Sequence, residues 1–578
     1  MKVLFLHPED KLSSIRSQGW DLVVDLGRSP AATYVKWSVQ SGCRVVSLTD
    51  FAQGFEDLDR LKLTFHRANK LVVDKFGIDW WDVLLPMLNT DLERCLMLVG
   101  LTKELKGSDI EFHSSRPDSR VSALQSFLEI ERVAVLGDHS ALSQKIKHYR
   151  NVFSHLDLNQ LTQIAQDKFD SQHTIRSRFS RKKSSDNQPV FLLPTAYVNV
   201  SRTAVSYAEL LPSEKFLLVT ARPGGKLRSL PSNVRMISLD PYFEPIDKKE
   251  LTSLTEKWNL LRQLLADSVP EFRMAEALGT FAQGLQLIHW GLAARDAWMR
   301  FFDSENIAGC LSADDVNPYT SLPLFIAAHR DVPTLAVHHG ALDSRMATKA
   351  LSADFYLAKG DLEQDYLLNS CHMDPEKIVM GGPPHVLPEP VVSTNKPWLV
   401  FFTEPYANSG WRADSVYKEL LPHLCTLADE CELELVFKLH PFESVKGHKN
   451  LVREFLSRDR FAKIQWVAGP PTQQLWNNIR FGMTVESTIA LECAIRQVPV
   501  FLCAWLQSAY GGYLQQYAKF GVGHILSSPN EIQDVPQLLA NWKNCESAAS
   551  GKIWHTMEST TLRNLLLGKH PRKTTLPA

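Results

Sequence analysis

The sequence predicts an α/β protein built from doubly wound parallel sheets. Three observations lead there. Short continuous apolar runs alternate with helical patterns along most of the chain, as strands buried on both faces do. The alternation falls into blocks, and the two at 190–388 and 396–568 meet at the proline-containing linker Leu387-Pro388-Glu389-Pro390. Several apolar runs end in polar residues, where open α/β sheets bind ligands. The expected layout is two Rossmann-like blocks facing each other across a cleft, with an additional N-terminal α/β region.

The chain's 578 residues are too many for one compact core. Composition is that of an ordinary globular protein, 44% hydrophobic and 22% charged. A net charge of −1 gives no basic footprint, so no nucleic-acid partner is expected. The nine cysteines are scattered, with no CxxC and no Cys/His cluster at zinc spacing. They read as reduced, buried thiols of a cytoplasmic protein, and no metal or cofactor is expected. Met1–Asp10 does not read as a signal peptide, because its apolar run is short and charge follows at once. No run approaches the roughly 18 apolar residues that span a bilayer. A soluble chain is expected, and peripheral contact with the inner membrane is compatible with that. The P-loop, GxSxG, HExxH and post-strand GxGxxG patterns are absent.

The N-terminal region, 1–145, has strand candidates at Val3–Leu6, Leu22–Leu26, Val45–Leu48 and Val133–Leu136. Residues 57–105 carry Leu and Trp at helical spacing. The stretch 146–189 reads as a helical and basic linker ending in the run Arg176–Asp186. Such a run is usually a solvated linker, and its functional alternative is contact with an anionic lipid or polyanion.

The block 190–388 opens at Val190–Pro194 and continues with Phe216–Thr220, Val234–Leu239, Ile307–Leu311, Thr334–His338, Phe355–Ala358 and Ile378–Met380. A long helical region at 248–303 interrupts it. The block 396–568 has strands at Trp398–Phe402, Leu433–Leu439, Lys463–Val467, Phe481–Val485 and Val498–Cys503. It ends in helix and a basic tail with Lys569, Arg572 and Lys573.

Two strand-ending motifs carry the most information. In Lys438-Leu439-His440-Pro441, proline stops the strand. His440 can then donate to a phosphate oxygen, while Lys438 adds charge or pairs elsewhere. A turn histidine that only caps the strand is the plain alternative. In Glu486-Ser487-Thr488, a strand runs into the helix expected at Ile489–Arg496. Backbone N–H groups and the helix dipole favour an anion there, and the hydroxyls add donors. An ordinary N-cap is the plain reading of Ser487. Glu486 either binds a ribose hydroxyl or is structural. Glu404 is a third edge residue on this side. Tyr510-Gly511-Gly512-Tyr513 is an aromatic loop that could close on a base or sugar. Tyr197–Thr203 ends a strand, with Ser201 expected as an N-cap and Arg202 as the residue to test.

The two motifs resemble the HP and S/T motifs of bacterial glycosyltransferases of the GT-B fold. That group includes polysialyltransferases, related sialyltransferases and the Kdo transferases of capsule synthesis. Three further stretches, Val332–Gly340, Ala353–Gly360 and Ile378–Pro384, are similar in order to the pattern of capsule-polysaccharide and CDP-glycerol transferases. The resemblance covers about 305–505; the first 300 residues share none of it.

It implies a metal-independent GT-B enzyme whose His440, Ser487 and Thr488 bind the phosphate of a CMP-linked sugar. Lys438, Glu486, Glu404 and Gly382 are further donor-side candidates. His339, before Gly340, is the implied catalytic base, and His has a fitting pKa for the task. Gly340 would allow a tight turn. Asp314 and Asp315 are the alternative base, similar to the acidic pair of sialyltransferase-like families, although Val316-Asn317 follow where those families place glycine. The implied activity is inverting transfer from CMP-Kdo or CMP-sialic acid to a glycan or lipid-linked glycan of a bacterial surface polysaccharide. Polyol-phosphate transfer from CDP-glycerol or CDP-ribitol is the alternative, and a non-catalytic scaffold the third reading.

Overall fold

The computed structural model describes residues 1–8, 10, 19–51, 70–105, 110–130, 133–135, 188–222, 225–227, 229–315, 317–340, 353–383, 396–406, 411–440, 443–507, 513–542 and 553–569. Arg176–Asp186, the Leu387–Pro390 linker, Pro441, Tyr510–Gly512, Arg572 and Lys573 lie outside them.

Three parallel sheets form. The first holds β1 (Lys2–Leu6), β2 (Leu22–Asp25), β3 (Arg44–Ser47), β4 (Glu111–Ser114) and β5 (Val133–Val135). The second holds β6 (Val190–Thr195), β7 (Phe216–Thr220), β8 (Val234–Ser238), β9 (Ile307–Ser312), β10 (Thr334–Val337), β11 (Phe355–Ala358) and β12 (Ile378–Met380). The third holds β13 (Trp398–Phe402), β14 (Glu434–Lys438), β15 (Gln465–Val467), β16 (Ile479–Thr484), β17 (Val500–Cys503) and β18 (His524–Leu526).

Their orders are β3-β2-β1-β4-β5, β12-β11-β10-β9-β6-β7-β8 and β15-β14-β13-β16-β17-β18. Each sheet starts at its centre, winds to one side, then returns and winds to the other. The reversal falls between β1 and β4, β6 and β9, and β13 and β16. In open α/β sheets such reversal points are where ligands bind, at the carboxyl ends of the strands. The fold class is the expected one: two doubly wound, Rossmann-like parallel sheets, preceded by a further α/β unit. Two strands, β4 and β18, are absent from the sequence expectation. Most described cysteines are buried free thiols. Among the described residues, no helix is long and apolar enough to cross a membrane.

The first sheet is joined to the second through helices. Trp80–Glu104 and Ser119–Leu128 pack on Pro270–Leu278, and Trp80–Glu104 packs also on Thr280–Ser304. Trp80, Trp81, Trp258 and Trp298 lie in the core that results. Helix Thr280–Ser304 makes room for two of these indoles with glycine. A Cβ at Gly284 would lie 2.2 Å from the Trp258 ring, and one at Gly291 would lie 2.4 Å from Trp80. Glycine inside a helix costs about 1 kcal/mol relative to alanine, which is small beside a buried tryptophan.

One turn beyond Gly291 comes Arg295, with 0% exposure. Its guanidinium donates to Asp74 at 2.7 Å, to Glu250 at 2.6 and 2.9 Å, and to Asp296 at 2.6 Å. Asp74 also accepts from the Trp80 indole at 3.1 Å. Burial pushes Glu250 up, but the hydrogen bonds from Arg295 and Lys75 outweigh it and hold the carboxyl down at about 2.

The first sheet also meets the third. Arg412 is 3% exposed and sits in the carboxyl edge of the first sheet. It donates to Asp25 at 3.0 Å from Nε and 2.5 Å from Nη2, and to the carbonyls of His7 (2.7 Å), Pro8 (2.7 Å) and Asp10.

The chain's last described helix, Ser559–Leu566, returns to the second sheet. Leu562, Leu565 and Leu566 share a core with Phe191, Leu193, Leu311 and Leu335. The expected block 396–568 does not anticipate this crossing, which follows from the apolar stripe the helix has to cover.

Replacing Arg295 with Met should destabilise the protein by about 3–5 kcal/mol, because the buried Asp74 and the half-buried Glu250 and Asp296 lose their shared cation. Chemical denaturation reads it directly. A loss below about 1 kcal/mol would mean the cluster is not the joint described here.

Candidate functional site

The reversal point of the third sheet lies between the ends of β13 and β16. Glu404, just past β13, reaches across it. One carboxylate oxygen accepts from the Thr484 hydroxyl at 2.8 Å and from the N–H groups of Val485 (3.1 Å) and Glu486 (2.8 Å). Burial, and then the charge of Glu486, push Glu404 up to about 7, against those hydrogen bonds.

The expectation of an open anion nest at the β16 turn is therefore corrected. The first N–H groups of the turn are met by a carboxylate from the neighbouring strand. Ser487 is not the N-cap: Thr488 is, in helical backbone and without a side-chain cap, and helix Ile489–Ile495 has only 7 residues. The Ser487 hydroxyl instead accepts from the Ile489 N–H at 3.4 Å. Ser487 and Thr488 are both half-buried at the crevice rim.

The HP turn flanks the same crevice from β14. Lys438 is 5% exposed and its ammonium donates to the Leu439 carbonyl at 2.7 Å, so it points into the protein. Burial lowers its pKa. The His440 N–H is shared between the Thr403 hydroxyl and the Glu443 carboxylate, each at 3.2 Å. Thr403 also donates to Glu443. Burial pushes Glu443 up to about 7. Burial, then the nearby Lys438, lower His440. Both effects favour the neutral imidazole, which can offer a hydrogen bond rather than a charge.

On the second sheet, β9 ends at Ser312 and leads to Asp314 and Asp315, both buried. The Asp314 carboxylate accepts from the Asn317 N–H at 3.4 Å. Asp315 lies against the buried phenol of Tyr356 on β11. His339 follows β10 and is exposed. Its Nδ1 lies 3.1 Å from the Ala313 carbonyl. With the proton on Nδ1, that bond leaves Nε2 as the basic nitrogen. The two base candidates, proposed as alternatives, are thus neighbours at one sheet edge. His338 is buried, and its carbonyl takes the Lys359 ammonium at 2.8 Å.

Gly340 has no left-handed φ, and a Cβ there would meet nothing within 4 Å among the described atoms. Gly382 is closely packed: a Cβ would lie 2.6 Å from Trp554. Its N–H donates to the His555 carbonyl at 2.6 Å, and its carbonyl accepts from Met557 at 2.8 Å. Ser201 also departs from its reading. It lies inside helix Val198–Ala208, with its hydroxyl donating to the Gly225 carbonyl at 2.5 Å. Arg202 beside it is exposed.

The edges of the second and third sheets come together near helix Tyr513–Lys519. Gln516 and Lys519 bond Asp365 of the second block, each at 2.7 Å. Burial, and then the charges of Glu404, Glu486 and Glu363, raise the pKa of Tyr517.

Sequence reading missed Glu443, Arg412, Tyr517 and Arg28. Glu443 had a signal, since it stands three residues after His440 in a turn. Arg28 also had one, because Gly27-Arg28 ends a strand.

No protein-family model matches the chain, and no curated protein does. Solved structures give distant likenesses. The UDP-GlcNAc 2-epimerase from Methanocaldococcus jannaschii is 12% identical with a TM-score of 0.39, over 63% of this chain and 97% of the epimerase. The wall teichoic acid polymerase TagF is 11% identical with a TM-score of 0.37, over 71% of this chain and 97% of TagF. A glycosyltransferase from Rickettsia africae is 13% identical with a TM-score of 0.35, over 66% of this chain and 94% of its own.

Glu404 generates a prediction with a definite sign. Its folded pKa of about 7 lies above the ordinary 4.5. The folded state therefore keeps a proton that the unfolded chain releases. The resulting stability is complete below about pH 4.5 and lost as pH rises through 7. Glu443 shifts the same way. Glu404→Gln should make stability fall less steeply between pH 5 and 7 and leave it no lower at pH 8. Glu404→Ala should cost about 1–3 kcal/mol, because two turn N–H groups lose their acceptor. Urea melts across pH check both; an unchanged pH slope in Glu404→Gln would contradict the assignment.

Proposed function

We propose that the protein is an inverting glycosyltransferase working in the cytoplasm on a bacterial surface polysaccharide, with a CMP-linked acidic sugar as donor. The observation that carries this reading is the gathering of strand-ending polar residues at both crevices. His440, Ser487 and Thr488 rim the third sheet's crevice, and Asp314, Asp315 and His339 share one edge of the second. The third-sheet block is the donor side and the second-sheet block the acceptor side.

In this reaction the base removes the proton from an acceptor hydroxyl. The freed oxygen attacks the anomeric carbon, and the bond from that carbon to the phosphate oxygen breaks with its electron pair going to the nucleotide. Neutral His440 and the hydroxyls of Ser487 and Thr488 donate to the departing phosphate, where negative charge grows. His339 Nε2 and the Asp315 carboxylate are the two groups at the edge able to take the proton. The reading requires no metal.

The exposed His339 with its outward Nε2 also suits polyol-phosphate transfer from CDP-glycerol or CDP-ribitol. There the acceptor oxygen attacks phosphorus and CMP leaves. The bond broken separates the two chemistries.

A thermal-shift screen over CMP, CDP, UDP, GDP and their sugars tests the donor. CMP compounds should stabilise the wild type and lose most of that effect in His440→Ala. Stabilisation by UDP or GDP alone would sink the CMP reading. In turnover, replacing the true base, by Asp315→Asn or His339→Ala, should lower kcat by about 10²–10⁴-fold with the donor KM little changed. If both variants keep full activity, the second sheet's edge is not the acceptor site.

A further inference from the structure

The third sheet's crevice has a charge problem. Glu404, Glu443 and Glu486 stand at its edge. Lys438 is turned inward onto a carbonyl, and burial disfavours the charged form of His440. Among the described residues of the β14 and β16 turns, a nucleotide phosphate arriving there meets acidic groups and no outward-facing lysine or arginine. A departing phosphate needs positive charge more than a bound one does.

Arg28 is placed to supply it, and it comes from the first sheet. It follows β2 through Asp25-Leu26-Gly27, and the Gly27 N–H is held by the Asp25 carboxylate at 2.9 Å. Its carbonyl accepts from the Arg412 N–H at 2.8 Å, and it forms a parallel bridge with Trp411. The guanidinium stacks over the Trp411 ring with its carbon 4.2 Å from the centroid. Nη1 donates to the carbonyl of Gln507, which follows β17. Burial lowers its pKa, and the nearby Tyr34, Glu486, which follows β16, and Asp50 act against that. The guanidinium therefore stands over the β16–β17 carboxyl edge, half-buried and held at its backbone, on one ring face and at one nitrogen.

We propose that Arg28 binds the phosphate of the nucleotide donor, so that the first α/β unit completes the donor site. This rests on the donor assignment proposed above. The planar guanidinium has five N–H donors, and among the described residues one carbonyl accepts from it. The rest of the fork suits two phosphate oxygens at once. Stacking on Trp411 orients the plane before a ligand arrives, so little side-chain freedom is lost on binding.

The test compares CMP with cytidine, which lacks the phosphate, by titration calorimetry on the full chain. Arg28→Gln should weaken CMP about ten- to a hundredfold while leaving cytidine unchanged, the loss of a charge-assisted hydrogen bond. Arg28→Lys, which keeps the charge but not the fork, should recover part of it. The melting temperature of each free variant shows whether the first sheet stays docked. If Arg28→Gln loosens the fold, the decision passes to Arg28→Lys, which must then bind CMP more weakly than wild type at unchanged melting temperature. Wild-type CMP affinity in both variants would overturn the role of Arg28 alone. If the wild type binds neither compound, the donor assignment falls and this inference with it.

Discussion

Arg412 is the residue on which the arrangement of the three sheets turns. A guanidinium so nearly sealed from water costs several kcal/mol unless its donors are met. Here Asp25 and three backbone carbonyls of the first sheet meet them. Burial alone would lower its pKa, but Asp25 outweighs burial and raises it, so the charge is retained. The pair works only if the carboxyl edge of the first sheet lies on the third block. That edge is where a doubly wound sheet would bind its own ligand. Arg412 fills it, and the first sheet becomes a wall of its neighbour's crevice.

The other joint of the first sheet is built differently. Arg295 serves three carboxylates in an interior lined by tryptophans, between helices that belong to the first and second sheets. The first unit is thus anchored to one block by a buried cluster and to the other by Arg412. The ion pair between Lys519 and Asp365 and the return of helix Ser559–Leu566 add two more links between the second and third sheets. Any opening of the cleft has to strain or break some of these. The exposed Lys519 pair is the weakest of them, since surface ion pairs contribute about 0–1 kcal/mol.

The sheets were legible in the sequence because parallel strands are continuous apolar runs, and those survive without context. β4 was not legible. Glu111-Phe112-His113-Ser114 holds one strongly apolar residue, yet it lies beside β1 at the centre of its sheet. Partners across the sheet, not its own hydrophobicity, place it there. The candidate site was legible in location but not in wiring. His440, Ser487 and Asp315 fall at sheet edges because strand ends can be read from a run that stops. That Glu404 would take the turn N–H groups, that Lys438 would face inward and that Gly382 would pack on Trp554 depend on contacts across long sequence separations. Arg28 is the extreme case, since its neighbours Trp411 and Gln507 lie in another block altogether.

With Arg28 in its proposed role, the first and third sheets form one nucleotide site. Amide hydrogen exchange with and without CMP tests it most directly. Added protection should appear together in two separate segments, Leu26–Arg28 and Val485–Ser487. Protection confined to the third block, with Leu26–Arg28 exchanging as in the free protein, would contradict the account.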